Sequence, residues 1–264
     1  MSKILLTGGT GYLGKNLVKG LLEANHELIL LVRKLSNIDF LQNSKGSVKV
    51  YVIGELSIDS VFKKENIDIV IHTAASYGRK GEDMNDVLSA NLTFPVEVLN
   101  AAVRNNVKYF INTDTALPKS MNWYSKSKKQ FLEWLEENSS NINIINLQLE
   151  YFFGPDDDNS KFITFVLNEL LSGKSEIDLT EATSARDFIY IDDVVSVYKL
   201  IVSKIKNFIG IQTIEVGSGQ AVKLREIVIK IRELVNRNEV RLNFGALPTR
   251  PNEIEISCAD ITYL

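Results

Sequence analysis

The chain has 264 residues, 45% hydrophobic and 24% charged, with a net charge of −3. That balance excludes a whole-chain attraction to nucleic acid or an acidic lipid surface, and the only cysteine, Cys258, excludes an internal disulfide. The N-terminal apolar run is too short for a secretory leader, and no stretch approaches the roughly 18 apolar residues of a membrane span, so a soluble cytoplasmic protein is expected.

The first apolar run, KILLTG (3–8), reads as a strand. It opens into GGTGYLGKNLV, ahead of a helix over 12–24 with apolar positions at Leu13, Leu17, Val18, Leu21 and Leu22. Gly8, Gly11 and Gly14 therefore stand between strand and helix. In that context each glycine serves a separate purpose. Gly8 permits a tight turn, Gly11 lets backbone approach a pyrophosphate, and Gly14 lets helix pack on strand. The helix N-terminus offers unpaired N–H groups to the phosphates. The spacing is GxxGxxG, and a plain strand-to-helix turn is the bland alternative. Placement directly after the first strand is the context a dinucleotide site requires.

The second strand, ELILLVR (27–33), ends at Arg33 with Lys34 beside it. An Asp or Glu there would hold free ribose hydroxyls, whereas cations can pair with a 2′-phosphate, which favours NADP over NAD. Solvated loop cations are the alternative. Further strands are VKVYVIG (48–54), DIVIHTA (68–74), KYFINT (108–113) and INIINLQL (142–149), with a helix over 91–105. His72 falls on the fourth strand, where a packed, hydrogen-bonded histidine is expected rather than a base. These runs are continuously apolar, as in strands covered on both faces. Their alternation with helices predicts an α/β fold with a doubly wound parallel sheet over 1–150.

After the fifth strand comes NTDTALP, then NWYSKSKKQFLEWL. Thr113 or Thr115 could offer a hydroxyl to a substrate oxygen, and Asp114 could add a carboxylic acid; local turn chemistry is the alternative for all three. Of nine tyrosines, only Tyr124 has a lysine four residues on, at Lys128. On a helix the two share a face. The ammonium then favours the phenolate, and a phenol with an ordinary pKa of about 10 becomes a proton donor and acceptor nearer neutrality. Trp123 and Trp134 are expected to pack, with Trp123 able to line a pocket.

The region 151–264 is expected to form a smaller, interleaved lobe. It holds helices at 160–172, from Asp192, and near 223–236, while RDFIYI and TIEVGS are expected to add strands to the main sheet. PDDDNS lacks EF-hand spacing and reads as a solvated turn. Two histidines and one cysteine leave little for a zinc site.

TGGTGYLG, the strand-end threonine and YSKSK together resemble the extended short-chain dehydrogenase/reductase family, and within it the nucleotide-sugar epimerases, dehydratases and 4-ketoreductases. DIVIHTAA, Asn91, YFFGPDDD and RDFIYIDDVV extend the resemblance over essentially the whole chain. The runs from NTDTALP through RDFIYIDDVV are most similar to CDP-abequose synthases and their relatives. That resemblance implies a Rossmann-type fold and NADPH-dependent reduction of a nucleotide-linked 4-keto-6-deoxy sugar for cell-surface polysaccharide synthesis. It makes Tyr124 the proton donor, Lys128 its modulator and a ribose ligand, and Thr113 the residue that holds the reacting oxygen. Asp114 stands beside Thr113 as a further catalytic candidate. Gly8, Thr10, Gly11, Tyr12, Leu13 and Gly14 would hold the dinucleotide, with Arg33 on the 2′-phosphate. His72, Ala74, Ala75 and Asn91 complete the cofactor set, Asn91 in a structural or water-relay role. Lys161, Phe162, Arg186 and Arg250 match positions that meet the nucleotide of a diphosphate sugar. No metal is implied, and a homodimer through a four-helix interface is.

Three departures from the family pattern bear on function. Threonine replaces the usual serine, which keeps the hydroxyl. Asp114 is followed by Thr115, where sugar dehydratases carry Glu, so the second carboxylate for removing a C5 proton is missing. Relatives usually continue past ADITYL through a further helical segment, so the substrate lobe is either naturally short or truncated. Two rival functions remain open: an NAD-dependent 4-epimerase using the same residues, and a non-catalytic NADP-binding regulator that would not need the Thr113–Tyr124–Lys128 set.

Overall fold

The structure, a computed structural model, describes residues 1–42, 48–249 and 252–263. In chain order the elements begin β1 (Lys3–Thr7), α1 (Tyr12–Glu23), β2 (Glu27–Val32), β3 (Val48–Val52), α2 (Ile58–Glu65) and β4 (Ile69–His72). They continue α3 (Met84–Leu88), α4 (Phe94–Arg104), β5 (Tyr109–Thr115), α5 (Trp123–Glu137), β6 (Asn143–Leu149) and β7 (Tyr151–Phe153). Then follow α6 (Phe162–Leu171), β8 (Glu176–Leu179), β9 (Ala185–Tyr190), α7 (Ile191–Ser203) and β10 (Ile211–Val216). The last are β11 (Ala221–Lys223), α8 (Leu224–Leu234), β12 (Arg241–Phe244) and β13 (Ile256–Ser257).

The chain divides into two compact units, residues 1–149 with 195–214, and residues 150–194 with 215–263. The first is built on a seven-stranded sheet of order β10-β6-β5-β4-β1-β2-β3, parallel from β3 through β6. This is the Rossmann-type order expected from the alternating runs. The order reverses at β1 and β4, so their carboxyl ends frame the crevice where open α/β sheets bind ligands. Side chains on one face of the sheet, such as Leu5, Val70 and Phe110, pack on α2, α4 and α5 through Phe62, Leu99 and Phe131. Complete burial of one such phenylalanine contributes about 2–3 kcal/mol.

Two elements depart from the sequence expectations. A helix over 58–65 is not evident in the sequence; Ser57 caps it by accepting from the Ser60 N–H at 3.1 Å. The helix expected over 91–105 begins earlier, as α3, and passes through a π turn at Ser89–Thr93 before α4. A π turn is a rare widening of the helix, found often at functional sites.

The second unit carries a four-stranded sheet in which β9 pairs with β7, β11 and β13, and a two-stranded pair, β8 with β12. RDFIYI therefore does not extend the main sheet as expected, whereas TIEVGS does, as β10. Asp187 is buried in this unit and organises its loops. It accepts from Ser218 N–H and Oγ–H on one carboxylate oxygen, and from Gly219 and Ala259 N–H on the other. Among the described residues no helix is long and apolar enough to cross a membrane.

Candidate active site

The loop after β1 is shaped by its glycines. Gly8 has φ +70°, and a Cβ there would meet backbone of Thr73 and Ala74 at 2.6–2.7 Å. A Cβ on Gly14 would lie 2.0 Å from the Gly8 carbonyl oxygen. Both glycines are therefore demanded by the fold. Gly11 differs: it has ordinary φ, and a Cβ would meet only Gly8 O at 3.3 Å. That contact is tight but much milder than those at Gly8 and Gly14, and glycine also leaves this backbone open to close approach. Gly11 is also the cap of α1, so Tyr12 and Leu13 form the first turn of that helix, at the positive end of its dipole. This cradle fits the pyrophosphate of a dinucleotide. Thr10 is partly exposed in the same loop.

Arg33 follows directly on β2, and both it and Lys34 are exposed. Beyond β4, the Ala74 N–H donates to Thr7 Oγ1 at 3.4 Å, fixing the chain where it leaves the sheet, and Ala75 is exposed. His72 is different. It is fully buried, its Nδ1 paired with Thr7 Oγ1 at 2.8 Å and its ring among Phe94, Phe110 and Phe131. Burial, and then the charge of Lys128, hold its pKa well below the ordinary value. His72 thus exposes no surface, as expected of a packed, hydrogen-bonded histidine.

Asn91 sits in the π turn, fully buried. Its Oδ1 accepts from the Ser76 N–H at 2.8 Å, and its amide donates to Ser76 O at 2.8 Å and to Ser127 Oγ at 3.0 Å. Ser127 in turn donates to the Tyr124 carbonyl at 2.9 Å. Asn91 thus clamps the segment after β4 to the first turns of α5, a structural role rather than a surface contact with cofactor.

Residues 116–122 carry the chain from β5 to α5. Asn122 caps α5 reciprocally with Ser125: its Oδ1 accepts from Ser125 N–H at 2.8 Å, and Ser125 Oγ accepts from Asn122 N–H at 3.2 Å. This places Tyr124 in the first turn, 8% exposed, with Lys128 one turn on and 1% exposed.

The two threonines divide. Thr113 Oγ1 pairs with the buried Tyr198 hydroxyl at 2.6 Å, whereas the Thr115 hydroxyl accepts from the Leu117 N–H at 3.2 Å and lies near enough to Tyr124 to lower its pKa. In this state Thr115, rather than Thr113, adjoins the phenol. Thr113 and Thr115 lie two apart on a strand and face the same side; Asp114 faces the other. Asp114 is 1% exposed, and its carboxylate accepts from Thr115 N–H at 2.7 Å, Lys129 Nζ at 2.8 Å and Asn146 Nδ2 at 3.1 Å. These bonds engage both of its oxygens.

Electrostatics reverse one expectation. Burial, with smaller contributions from Tyr77 and Asp114, pushes the Tyr124 phenol well above its ordinary range, although Thr115 opposes this. Burial also lowers Lys128 to about 8, with Asp114 opposing. Desolvation sets the direction for both groups, opposite to the lowering expected for Tyr124 from the ammonium one turn away.

In the second unit, Phe162 and Arg186 share a cluster of rings, and Lys161 lies over Phe152 of the adjoining strand. Phe162 stacks on Phe188 at 6.1 Å, Arg186 lies 5.5 Å from the Tyr151 ring, and Lys161 lies 3.7 Å over Phe152. Tyr151 and Phe188 are neighbours at 6.0 Å. Lys161 also pairs with Asp157 at 3.3 Å, and Arg186 with Glu253 at 3.6 Å. Arg250 lies outside the described residues.

Sequence reasoning missed Tyr77, Lys129, Asn146 and Tyr198, which reach the site from separate elements. Only Lys129 carried a local signal, as the neighbour of Lys128.

The sequence model of the NAD dependent epimerase/dehydratase family matches residues 4–217. The CDP-abequose synthase of Salmonella muenchen is 31% identical over 99% of this chain and 90% of its own length. That of Salmonella typhimurium is 28% identical, over 97% and 89%. Among solved structures, UDP-glucuronic acid 4-epimerase from Bacillus cereus, in complex with UDP-glucuronic acid and NAD, has the same fold: TM-score 0.85 at 21% identity, over 99% of this chain and 91% of that one.

Proposed function

The chain belongs to the NAD dependent epimerase/dehydratase family, the NAD(P)-dependent enzymes of extended short-chain dehydrogenase/reductase type, and on that footing we propose that it reduces the 4-keto group of a nucleotide-linked 4-keto-6-deoxy sugar with NADPH. The observation that carries this reading is the state of the site's acids. Tyr124 is buried, which pushes its phenol well above the ordinary range, while Asp114 is tied to Lys129 and no second carboxylate follows it. Reduction consumes a protonated donor. Dehydration needs a further base, and the first half of epimerisation needs a phenolate.

NADPH, when bound, supplies the hydride. The glycine cradle and the first N–H groups of α1 would hold its pyrophosphate, and Arg33 with Lys34 its 2′-phosphate. Tyr124 donates its hydroxyl proton to the ketone oxygen as charge develops there. Thr115 orients the phenol, and Thr113, on the same face of β5, aligns the oxygen. Lys128 keeps a positive charge near the phenolate as it forms and meets the cofactor ribose. Lys161, Phe162 and Arg186 supply the cations and rings suited to a nucleotide diphosphate. Two copies are proposed to associate through helices that include α5, where Trp134 leaves half its surface in water.

A 4-epimerase is the second reading, favoured by the solved relative's epimerase fold in complex with NAD. The deciding experiment adds a CDP-4-keto-6-deoxyhexose to the protein with NADPH and follows nicotinamide absorbance. Stoichiometric oxidation is expected, and its rate should fall by about 10²–10⁴ in Tyr124→Phe. Epimer interconversion with tightly held NAD and no net NADPH use would refute the reductase reading.

A further inference from the structure

The Tyr77 ring lies against the Tyr124 ring, centroids 4.6 Å apart and planes inclined by 34°. Tyr77 also contributes to raising the Tyr124 phenol above its ordinary range. Their exposure is unequal: Tyr124 is 8% exposed and Tyr77 44%. With Gly78, Asn122 and Trp123 they line a cleft of about 180 Å³.

Tyr77 is held in place. Asn91 binds the N–H and the carbonyl of Ser76, so the residue before Tyr77 is fixed on both sides. Gly78, at φ +65°, turns the chain immediately after it. The Arg79 guanidinium stands 5.6 Å from the Tyr77 ring centroid. Through Ser127, the same Asn91 holds α5, so one buried amide sets both phenols.

A buried phenol that gives up its proton must regain one at every turnover. Thr115 provides no outlet: it is itself buried, and its hydroxyl already accepts from the Leu117 N–H at 3.2 Å. We propose that Tyr77 is the solvent-side proton partner of Tyr124, a positioning residue that aims the Tyr124 hydroxyl and restores its proton. The direction of proton flow rests on the reductase reading; the coupling of the two phenols does not. As hydride reaches the ketone carbon, the Tyr124 O–H bond breaks and an O–H bond forms on the sugar. The Tyr77 O–H bond then breaks to reprotonate Tyr124, and water supplies Tyr77. The sum is one hydride from the reduced dinucleotide and one proton from water per alcohol formed.

The groups facing Tyr124 are Asp114 and Thr115 from β5, Tyr77 from the segment after β4, and Lys128 along α5; Arg79 adjoins Tyr77 and Lys129 adjoins Asp114. Tyr77→Phe keeps the ring contact and removes only the hydroxyl. In unliganded protein labelled with carbon-13 at tyrosine Cζ, the Tyr124 resonance, assigned by its loss in Tyr124→Phe, should begin to ionise at lower pH in Tyr77→Phe than in wild type. In turnover, kcat should fall about tenfold with KM for the nucleotide sugar unchanged and a larger solvent isotope effect. An unmoved Tyr124 titration, an unmoved kcat, or a rise in KM alone each overturns the proposal. The titration needs no substrate, so it decides the coupling even if the reductase reading fails.

Discussion

Lys129 Nζ donates to the Asp114 carboxylate at 2.8 Å and to the Thr115 carbonyl at 2.8 Å, fastening the second turn of α5 to the carboxyl end of β5. The carboxylate is fully buried and the lysine partly so. Lys129→Met leaves Asp114 charged without its cation, which should cost about 3–5 kcal/mol in urea unfolding. Lys129→Met with Asp114→Asn removes the stranded charge and should recover most of that loss. Equal stability of the single and double variants would show that the pair is not coupled.

Gly14→Ala and Gly11→Ala should separate fold from function. The first places a Cβ 2.0 Å from a carbonyl, and should lower stability by about 1–3 kcal/mol as well as dinucleotide affinity. The second meets only a 3.3 Å contact, and should leave the melting temperature near wild type while weakening dinucleotide binding. Calorimetric melting beside dinucleotide titration distinguishes the two, and a Gly11→Ala protein that binds normally would remove the pyrophosphate from that loop.

Arg33→Ala should raise Kd for NADPH about tenfold or more while changing Kd for NADH little, as expected for loss of one charge-assisted contact to a 2′-phosphate. Fluorescence titration with both dinucleotides measures the ratio directly. Equal effects on both would mean that Arg33 is only a solvated cation.

Tyr124→Phe should lower kcat by about 10²–10⁴, the usual contribution of a positioned acid, with little change in unfolding free energy. Thr115→Val tests the partner that the structure brings to the phenol. It should lower kcat more than KM changes, and if Thr113→Val alone has an effect, Thr115 serves only the turn.

Stability should depend on pH through Glu150 in the second unit. Burial, with the charges of Asp187 and Glu215, raises its carboxyl to about 7 from 4.5, although Ser257 donates to both its oxygens and Arg186 lies near. A carboxyl raised in the folded state binds protons there that the unfolded chain has already released. Its contribution is therefore fully present below about 4.5 and lost as pH rises through about 7. Denaturant midpoints across that window should fall more steeply in wild type than in Glu150→Gln. Parallel curves would show that Glu150 titrates normally.

Periodicity and short-range spacing are readable without a fold. Continuous apolar runs mark strands covered on both faces, GxxGxxG after the first run marks the turn into α1, and Tyr124 with Lys128 shares a helix face because four residues is one turn. The helix at 58–65 leaves little trace in the sequence because it is short and mixed in character. The sheet that RDFIYI joins is not legible either, because an apolar strand carries no label for its sheet; pairing with β7, β11 and β13 is a long-range matter.

Local sequence alone was enough to specify a doubly wound α/β unit with a dinucleotide cradle and a tyrosine–lysine helix at its carboxyl edge, because helix pitch, strand pleat and the steric freedom of glycine act between near neighbours. The groups that surround the phenol were set by the folded chain: Thr115 beside it, Asp114 claimed by Lys129, Tyr77 stacked on its ring. Folding also reversed the electrostatic expectation. Spacing brings Lys128 within a turn of Tyr124, but burial among residues distant in sequence sets how far each is stripped of water, and desolvation decides the direction for both.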